Sequence, residues 1–345
     1  MRVLVTGHLG FIGTALVPEF LAAGHDVIGL DTDLYRACTF GDASALPSVP
    51  TVARDLRDVR ADDLAGIDAV VHLAALSNDP LGDLDPTLTF DINHAATIAL
   101  ARAAREAGVA RFLFSSSCSN YGAAGGALLD ETSPLRPVTA YGESKVRVEA
   151  DLGQLAADDY VVVSLRNATA YGVSPRLRCD VALNNLAAWA FTTTSVRLKS
   201  DGTPWRPLVH IRDIAQAFLL ALNAPVADVN GKAFNVGATQ ANHQIRELAE
   251  VVAGVVPGCE VELASDASPD TRNYRVNCDL FARTVGFRTE WDIERGAHEL
   301  YDAFRSVGLT LAEVEGPRFQ RIAQIRALLE QGTIGPDLRF GVPVG

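Results

Sequence analysis

What the chain lacks narrows its function before any motif is read. Its five cysteines (Cys38, Cys118, Cys179, Cys259 and Cys278) are odd in number and form no CxxC pair, so neither a disulfide framework nor a zinc site built on cysteine is expected. Its seven histidines show no HxxxH or HExxH spacing, which leaves a catalytic metal without a visible ligand set. Positive charge is in deficit. With 30 Lys and Arg against 42 Asp and Glu, the net charge of −12 has the wrong sign for a protein that must neutralise nucleic-acid phosphates. No apolar run reaches the ~18 residues of a membrane span, and the opening MRVLVTGHLG meets a glycine-rich turn too soon for a signal peptide. Neither nucleic acid nor membrane is therefore an expected partner, and the cytoplasm is the expected location. Internal repeats and low-complexity tracts are missing too, as is any linker long enough for free domain motion.

What is present is a 345-residue chain, 48% hydrophobic, long enough for one large core or two domains sharing a cleft. Short apolar or β-branched runs recur at RVLVT (2–6), HDVIGL (25–30), PTVARD (50–55), DAVVHLAA (68–75), RFLFSSS (111–117) and YVVVSLR (160–166). Between several of them lie stretches of helical period such as FIGTALVPEFLAAG and ATIALARAAREAGV, each closing on a glycine suited to a helix C-terminus. Strand alternating with helix predicts an α/β fold, a Rossmann-type doubly wound parallel sheet, because parallel strands need crossover helices on both faces. After residue 166 the alternation breaks into shorter elements, with a further strand at AFNVG (233–237), a helix near IRELAEVVAGVV and two helices near 294–306 and 317–330. Residues 1–166, with about 207–237, are expected to form the cofactor-binding domain. Residues 167–206 and 238–345 are expected to form a smaller C-terminal α/β substrate-binding domain.

The first chemical motif is TGHLGFIG, directly after the first strand. Gly7 permits a tight turn, Gly10 a close approach of backbone to pyrophosphate, and Gly13 close packing of helix on strand, while Gly10, Phe11, Ile12 and Gly13 open a helix whose N-terminus faces the anion. Asp31 ends the second strand, where an acid hydrogen-bonds the adenosine ribose and repels a 2′-phosphate. NAD is therefore the expected cofactor, with Arg36 nearby keeping NADP open. The second motif is Tyr141-Gly-Glu-Ser-Lys145, whose spacing of four puts phenol and ammonium on one helical face. A phenol of pKa near ~10 acts as a base at neutral pH only when its anion is stabilised, and a neighbouring lysine does that.

Together these residues resemble a known family. TGHLGFIG, the acid after the second strand, DLRD (55–58), HLAA (72–75), Asn93 in FDINHAAT, FSSS followed by YG, YGESK and RPLVHIRD stand in the order found in the extended short-chain dehydrogenase/reductases. Residues 1 to about 300 are specifically similar to their nucleotide-sugar epimerase/dehydratase group. The resemblance implies that Asp55 and Leu56 contact adenine, that the backbone around Leu73 and Ala74 lines the cofactor, and that Asn93 fixes the central helix nearby. It implies that Ser117 hydrogen-bonds the sugar hydroxyl or keto oxygen, that Tyr141 moves the proton and that Lys145 anchors the nicotinamide ribose. Asn185 and Leu186 in VALNNLAAWA, and Arg206 in TPWRPLVHI, match positions that hold a nucleotide diphosphate, for which a guanidinium is suited. A homodimer built on the helix carrying Tyr141 and the stretch after Asn93 is also implied.

The departures from the family pattern shape the reaction expected. Where its 4,6-dehydratases follow the hydroxyl residue with Asp-Glu, this chain has Cys118 and Ser119, which favours oxidation and re-reduction at the sugar C4, an epimerisation, over elimination of water. Thr169 stands where many epimerases have an asparagine, and Arg272 in SDASPDTRNYR is the candidate for a second phosphate-pairing arginine. Cys118 reads as a small packing residue or as a weak acid. His210 is expected to pack beside its strand, and Asp213 to cap the helix DIAQAFLLAL. Three alternatives stay open: an NAD(P)H-dependent reductase of a nucleotide-4-keto-sugar, a dehydratase using Cys118, and a non-enzymatic NAD sensor.

Overall fold

A computed structural model of the chain describes residues 1–341 apart from 83, 199 and 264–272. Its strands are β1 (Arg2–Thr6), β2 (Asp26–Asp31), β3 (Thr51–Ala53), β4 (Ala69–His72), β5 (Arg111–Ser117), β6 (Ala123–Leu129), β7 (Val161–Asn167), β8 (Thr169–Tyr171), β9 (Ser195–Leu198), β10 (Trp205–His210), β11 (Lys232–Val236), β12 (Asn242–Gln244), β13 (Glu260–Leu263) and β14 (Asn273–Val276). Seven form one parallel sheet in the order β11-β7-β5-β4-β1-β2-β3. This is the doubly wound arrangement expected from the alternating pattern. The chain reverses its direction of growth between β1 and β4, and such a switch point opens a crevice at the carboxyl ends of the strands.

Both faces of the sheet are covered, so its strands are near-continuous apolar runs instead of alternating ones. Val3 and Val5 of β1 face one side, where Leu16 and Phe20 of helix Gly13–Ala22 meet Phe218 of helix Ile211–Asn223. Leu4 faces the other side with Phe112, Phe114, Val148 and Leu152, beneath helices Ala96–Glu106 and Ala140–Leu155. A separate core gathers Leu183, Leu186, Leu208, Leu248, Leu300 and Phe304 from the later part of the chain. Three further small sheets are formed among the described residues, β12-β10-β8, β13-β9 and β14-β6, and Thr169, Arg206 and Tyr274 from them line the cleft.

The sequence pattern does not show β6 or its parallel pairing with β14, because GAAGGALL is too glycine-rich to look like a strand. The expectation for Asp213 is corrected. It lies inside its helix and accepts the backbone N–H groups of Glu290 (2.9 Å) and Trp291 (3.3 Å), tying down the turn before helix Ile293–Val307. His210 caps instead, accepting from the Arg212 N–H while its Nε2 meets Glu299 at 2.9 Å and its ring stacks on Trp291. Trp205 packs beneath the guanidinium of Arg275.

Candidate active site

A cleft of about 600 Å³ runs along the carboxyl ends of the strands, from Asp31 at the end of β2 to Tyr141 and Lys145. Its floor is the glycine-rich turn. Gly7 has φ +71°, and a Cβ there would lie 2.8 Å from the Ala74 nitrogen; one on Gly13 would lie 2.3 Å from the Gly7 carbonyl oxygen. Only glycine lets these segments approach so closely. Gly10, Phe11, Ile12, Asp55, Leu56, Leu73 and Ala74 line the same half of the cleft. Asp31 accepts the N–H groups of Leu9 and Asp33, and burial raises its carboxyl above the ordinary carboxylate range. Arg36 turns away and stacks on Phe340, so the end of β2 presents an acid without that arginine. This half of the cleft therefore fits a dinucleotide with a free ribose 2′-hydroxyl.

At the far end the catalytic candidates converge. Tyr141 sits in the first turn of helix Ala140–Leu155, capped by Thr139, whose hydroxyl accepts from Gly142 and donates to Asp79 at 2.7 Å. One turn later, Lys145 is buried with its ammonium donating to the Ser115 carbonyl (2.8 Å), 4.6 Å from the Phe114 ring centroid and 5.7 Å from that of Tyr141. Ser117, ending β5, accepts the Ser119 N–H (3.1 Å) and hydroxyl (2.9 Å), which fills its lone pairs and directs its own hydrogen to the Tyr141 phenol oxygen. Burial, with the Asp79 carboxylate adding to it, pushes the phenol up to about 12; the Ser117 bond acts in the opposite direction. Burial pulls the Lys145 ammonium down to about 7 against the attraction of Glu149. Glu149 in turn is locked to Arg166 of β7 at 2.7 Å.

Several expectations are redrawn by this geometry. Cys118 does not line the cleft: it is 1% exposed, its thiol donates to the Arg166 carbonyl at 3.1 Å, and burial raises it well above the ordinary thiol range. The packing role is the one its surroundings allow. Leu186 is likewise buried in the later core, one position past the cleft-lining Asn185, because successive helical positions point about 100° apart. Asn93 acts at one remove. From a π-helical turn it brackets the backbone N–H and carbonyl of Leu76 and reaches Ser144, holding the loop that walls the cleft. Ser119, Thr169, Asn185 and Arg206 all line the cleft, with Asn185 donating to the Cys179 carbonyl and Arg206 to that of Trp205. Arg272 lies outside the described residues. Among the described residues no cluster of metal-ligating side chains occurs, and no helix is long and apolar enough to cross a membrane.

Sequence reasoning missed Asn78, Asp79, Asn167, Arg178, Asp180 and Arg321, which all border the cleft. Asp79 follows HLAALSN closely enough for the family motif to have pointed to it. Arg321 carries no signal, since it arrives from a helix some 140 residues beyond Asp180, whose carboxylate it meets through its backbone N–H at 3.2 Å.

Comparison with known proteins places these features in context. Residues 3–237 match the model of the NAD dependent epimerase/dehydratase family. A UDP-glucose 4-epimerase from Mycolicibacterium smegmatis is 31% identical over 320 residues, spanning 89% of this chain and 99% of the relative. The Thermus thermophilus UDP-glucose 4-epimerase in complex with NAD superposes with a TM-score of 0.72 at 28% identity, covering 88% of this chain and 99% of that one. DesIV, a dTDP-glucose 4,6-dehydratase from Streptomyces venezuelae solved with NAD bound, gives 0.77 at 25% identity, covering 89% and 97%.

Proposed function

Because the chain belongs to the NAD-dependent epimerase/dehydratase family, we propose that it inverts C4 of a nucleotide-linked sugar. One observation carries the choice of epimerisation: positions 118 and 119, beside the catalytic serine, offer a buried thiol and a hydroxyl spent on Ser117, so no carboxylate stands there to eliminate water. A bound NAD would supply reversible hydride chemistry at the sugar carbon, out from one face and back to the other, with no net redox change.

The chain's own residues handle the proton. Tyr141 takes it from the C4 hydroxyl as the phenolate. Its phenol, at about 12 in the free protein, needs positive charge nearby to ionise at neutral pH; Lys145, itself near its midpoint at about 7, supplies part of it, and the Arg178 guanidinium pulls in the same direction. Ser117, donating toward the same oxygen, stabilises the anion and eases the transfer in both directions. Lys145, fixed on the Ser115 carbonyl, would also anchor the nicotinamide ribose. Gly7, Gly10, Phe11, Ile12, Gly13, Asp31, Asp55, Leu56, Leu73 and Ala74 would hold the dinucleotide, and Asn185, Thr169 and Arg206 the sugar nucleotide. The division into a cofactor part (1–166 and about 207–237) and a substrate part belongs to the same reading, as do a homodimer and a cytoplasmic location.

The test is product mass after incubating the purified protein in heavy water with a panel of nucleotide sugars, with and without NAD or NADPH. An isobaric product of changed retention, formed without reduced cofactor, is expected. A product lighter by one water would replace this reading with a dehydratase, and one gained only with NADPH would replace it with a reductase.

A further inference from the structure

Two buried arginines border the cleft close to one carboxylate, Asp180, which Arg178 meets through its guanidinium and Arg321 through its backbone N–H. Arg178 (6% exposed) donates from Nε to Asp180 at 2.8 Å and from Nη1 to the Ser77 hydroxyl at 3.3 Å, but its Nη2 has no partner among the described residues. Arg321 (2% exposed) donates from Nη2 to the Arg176 carbonyl at 2.7 Å, and its Nη1 has no partner among the described residues. The two guanidinium groups feel each other's charge and that of the Asp180 carboxylate, while the neighbouring Arg176 is already paired with Asp33 at 2.8 Å. One positive charge is thus left over in a water-poor wall of the cleft. A buried guanidinium with open N–H groups is unfavourable until an anion joins it.

The position of the pair identifies the anion. Arg321 stacks on the ring of Tyr35, 4.4 Å from its centroid, four residues beyond the acid that closes β2. Arg178 is an electrostatic neighbour of both the Tyr35 and the Tyr141 phenols. The pair therefore lies between the adenosine end of the cleft, marked by Asp31, and the nicotinamide end, marked by Tyr141 and Lys145. In a dinucleotide spanning those ends, the charged group in between is the pyrophosphate. The turn Gly7–Gly13 contains no lysine or arginine and offers it backbone N–H groups.

We infer that Arg178 and Arg321 form a pyrophosphate clamp, closing on the dinucleotide from the side opposite the glycine-rich turn and holding NAD between turnovers. Half of this clamp is brought by the C-terminal helix Arg321–Glu330. That helix packs through Ile325 with Leu338 against Leu76 and Leu81 of the cleft wall.

The experiment compares Arg178→Met and Arg321→Met with the parent protein in two ways: NAD content as purified, and affinity of the NAD-stripped protein for adenosine, AMP, ADP-ribose and UDP. Adenosine affinity should be unchanged, which also reports an intact fold. Affinity for ADP-ribose should fall by about 10- to 100-fold, the worth of a charge-assisted hydrogen bond, and the purified variants should carry less NAD. Where a Met variant does not fold, the corresponding Lys variant, which keeps the charge but loses the planar fork, decides by the same ratio of ADP-ribose to adenosine affinity. An unchanged ratio would overturn the inference. So would a loss confined to UDP, which would assign the pair to the sugar nucleotide. Neither result bears on whether the enzyme is an epimerase, since the ligand series is read without turnover.

Discussion

Ser117, Tyr141 and Lys145 illustrate how far a residue's chemistry depends on its immediate shell. A lone phenol lifted to about 12 by burial is a poor base, so the site works only if the groups around it favour the anion. Replacing Tyr141 with Phe should lower kcat by about three orders of magnitude with NAD content unchanged, because proton transfer by a positioned group contributes about 10²–10⁴-fold; retained turnover would remove Tyr141 from the mechanism. A second residue-scale prediction concerns Gly29 of β2. A Cβ there would lie 2.3 Å from Nε2 of His8, whose buried ring from the glycine-rich turn meets the Thr51 hydroxyl at 3.1 Å. Gly29→Ala should therefore destabilise the protein by about 1–3 kcal/mol in denaturant unfolding, the usual cost of overpacking. That Ser117, Tyr141 and Lys145 meet in one cleft was legible in the sequence because YxxxK and a serine-rich strand end are local patterns. The clearance His8 needs was not, because it is set by a residue 21 positions away.

At the scale of elements, His72 joins three pieces of the switch-point region. Its Nδ1 meets the Thr6 hydroxyl of β1 and its Nε2 the Thr97 hydroxyl of helix Ala96–Glu106, both at 2.7 Å. Thr97 spends its own hydrogen on the Asn93 carbonyl, so His72 must donate from Nε2 and accept at Nδ1, the neutral tautomer. Burial, with Lys145 adding to it, pulls the imidazole down to about 3. Between about 3 and its ordinary value near 6.5 the unfolded chain binds a proton that the native state refuses, so stability rises with pH across that window and falls on acidification. The slope corresponds to on the order of 5 kcal/mol over the full range. His72→Gln should flatten this limb in urea titrations between about pH 4 and 6.5; an unchanged pH slope would show that other groups carry it. The six sheet strands before residue 167 were legible as apolar runs bounded by turns. Strands β6, β8, β12, β13 and β14 were not, since three or four residues, or a run broken by glycine, leave no period to detect.

The whole molecule closes its cleft with chain from its far end. Leu338 lines the cleft, Phe340 carries Arg36, and Arg339 pairs with Asp58, just after the cleft-lining Asp55 and Leu56. Deleting residues 311–345 would uncover Leu76 and Leu81 and remove Arg321 with its whole helix. Such a variant should lose several degrees in Tm, since about 1–2 kcal/mol of lost burial already moves a domain of this size by a few degrees. It should also release NAD faster than the parent protein in exchange against labelled NAD. An unchanged release rate would mean that the C-terminal segment is mere packing.

The sequence by itself determined the sheet, its parallel sense, the dinucleotide turn and the phenol–ammonium pair, because each is written in contiguous residues whose period or spacing is a property of strand and helix geometry. Tertiary structure alone decided that Cys118 faces inward, that Leu186 belongs to a core, that His210 caps where Asp213 was expected to, and that Arg178 and Arg321 share one wall. Those outcomes depend on which segments meet across long stretches of chain, and burial and electrostatic pairing come into being only at such meetings.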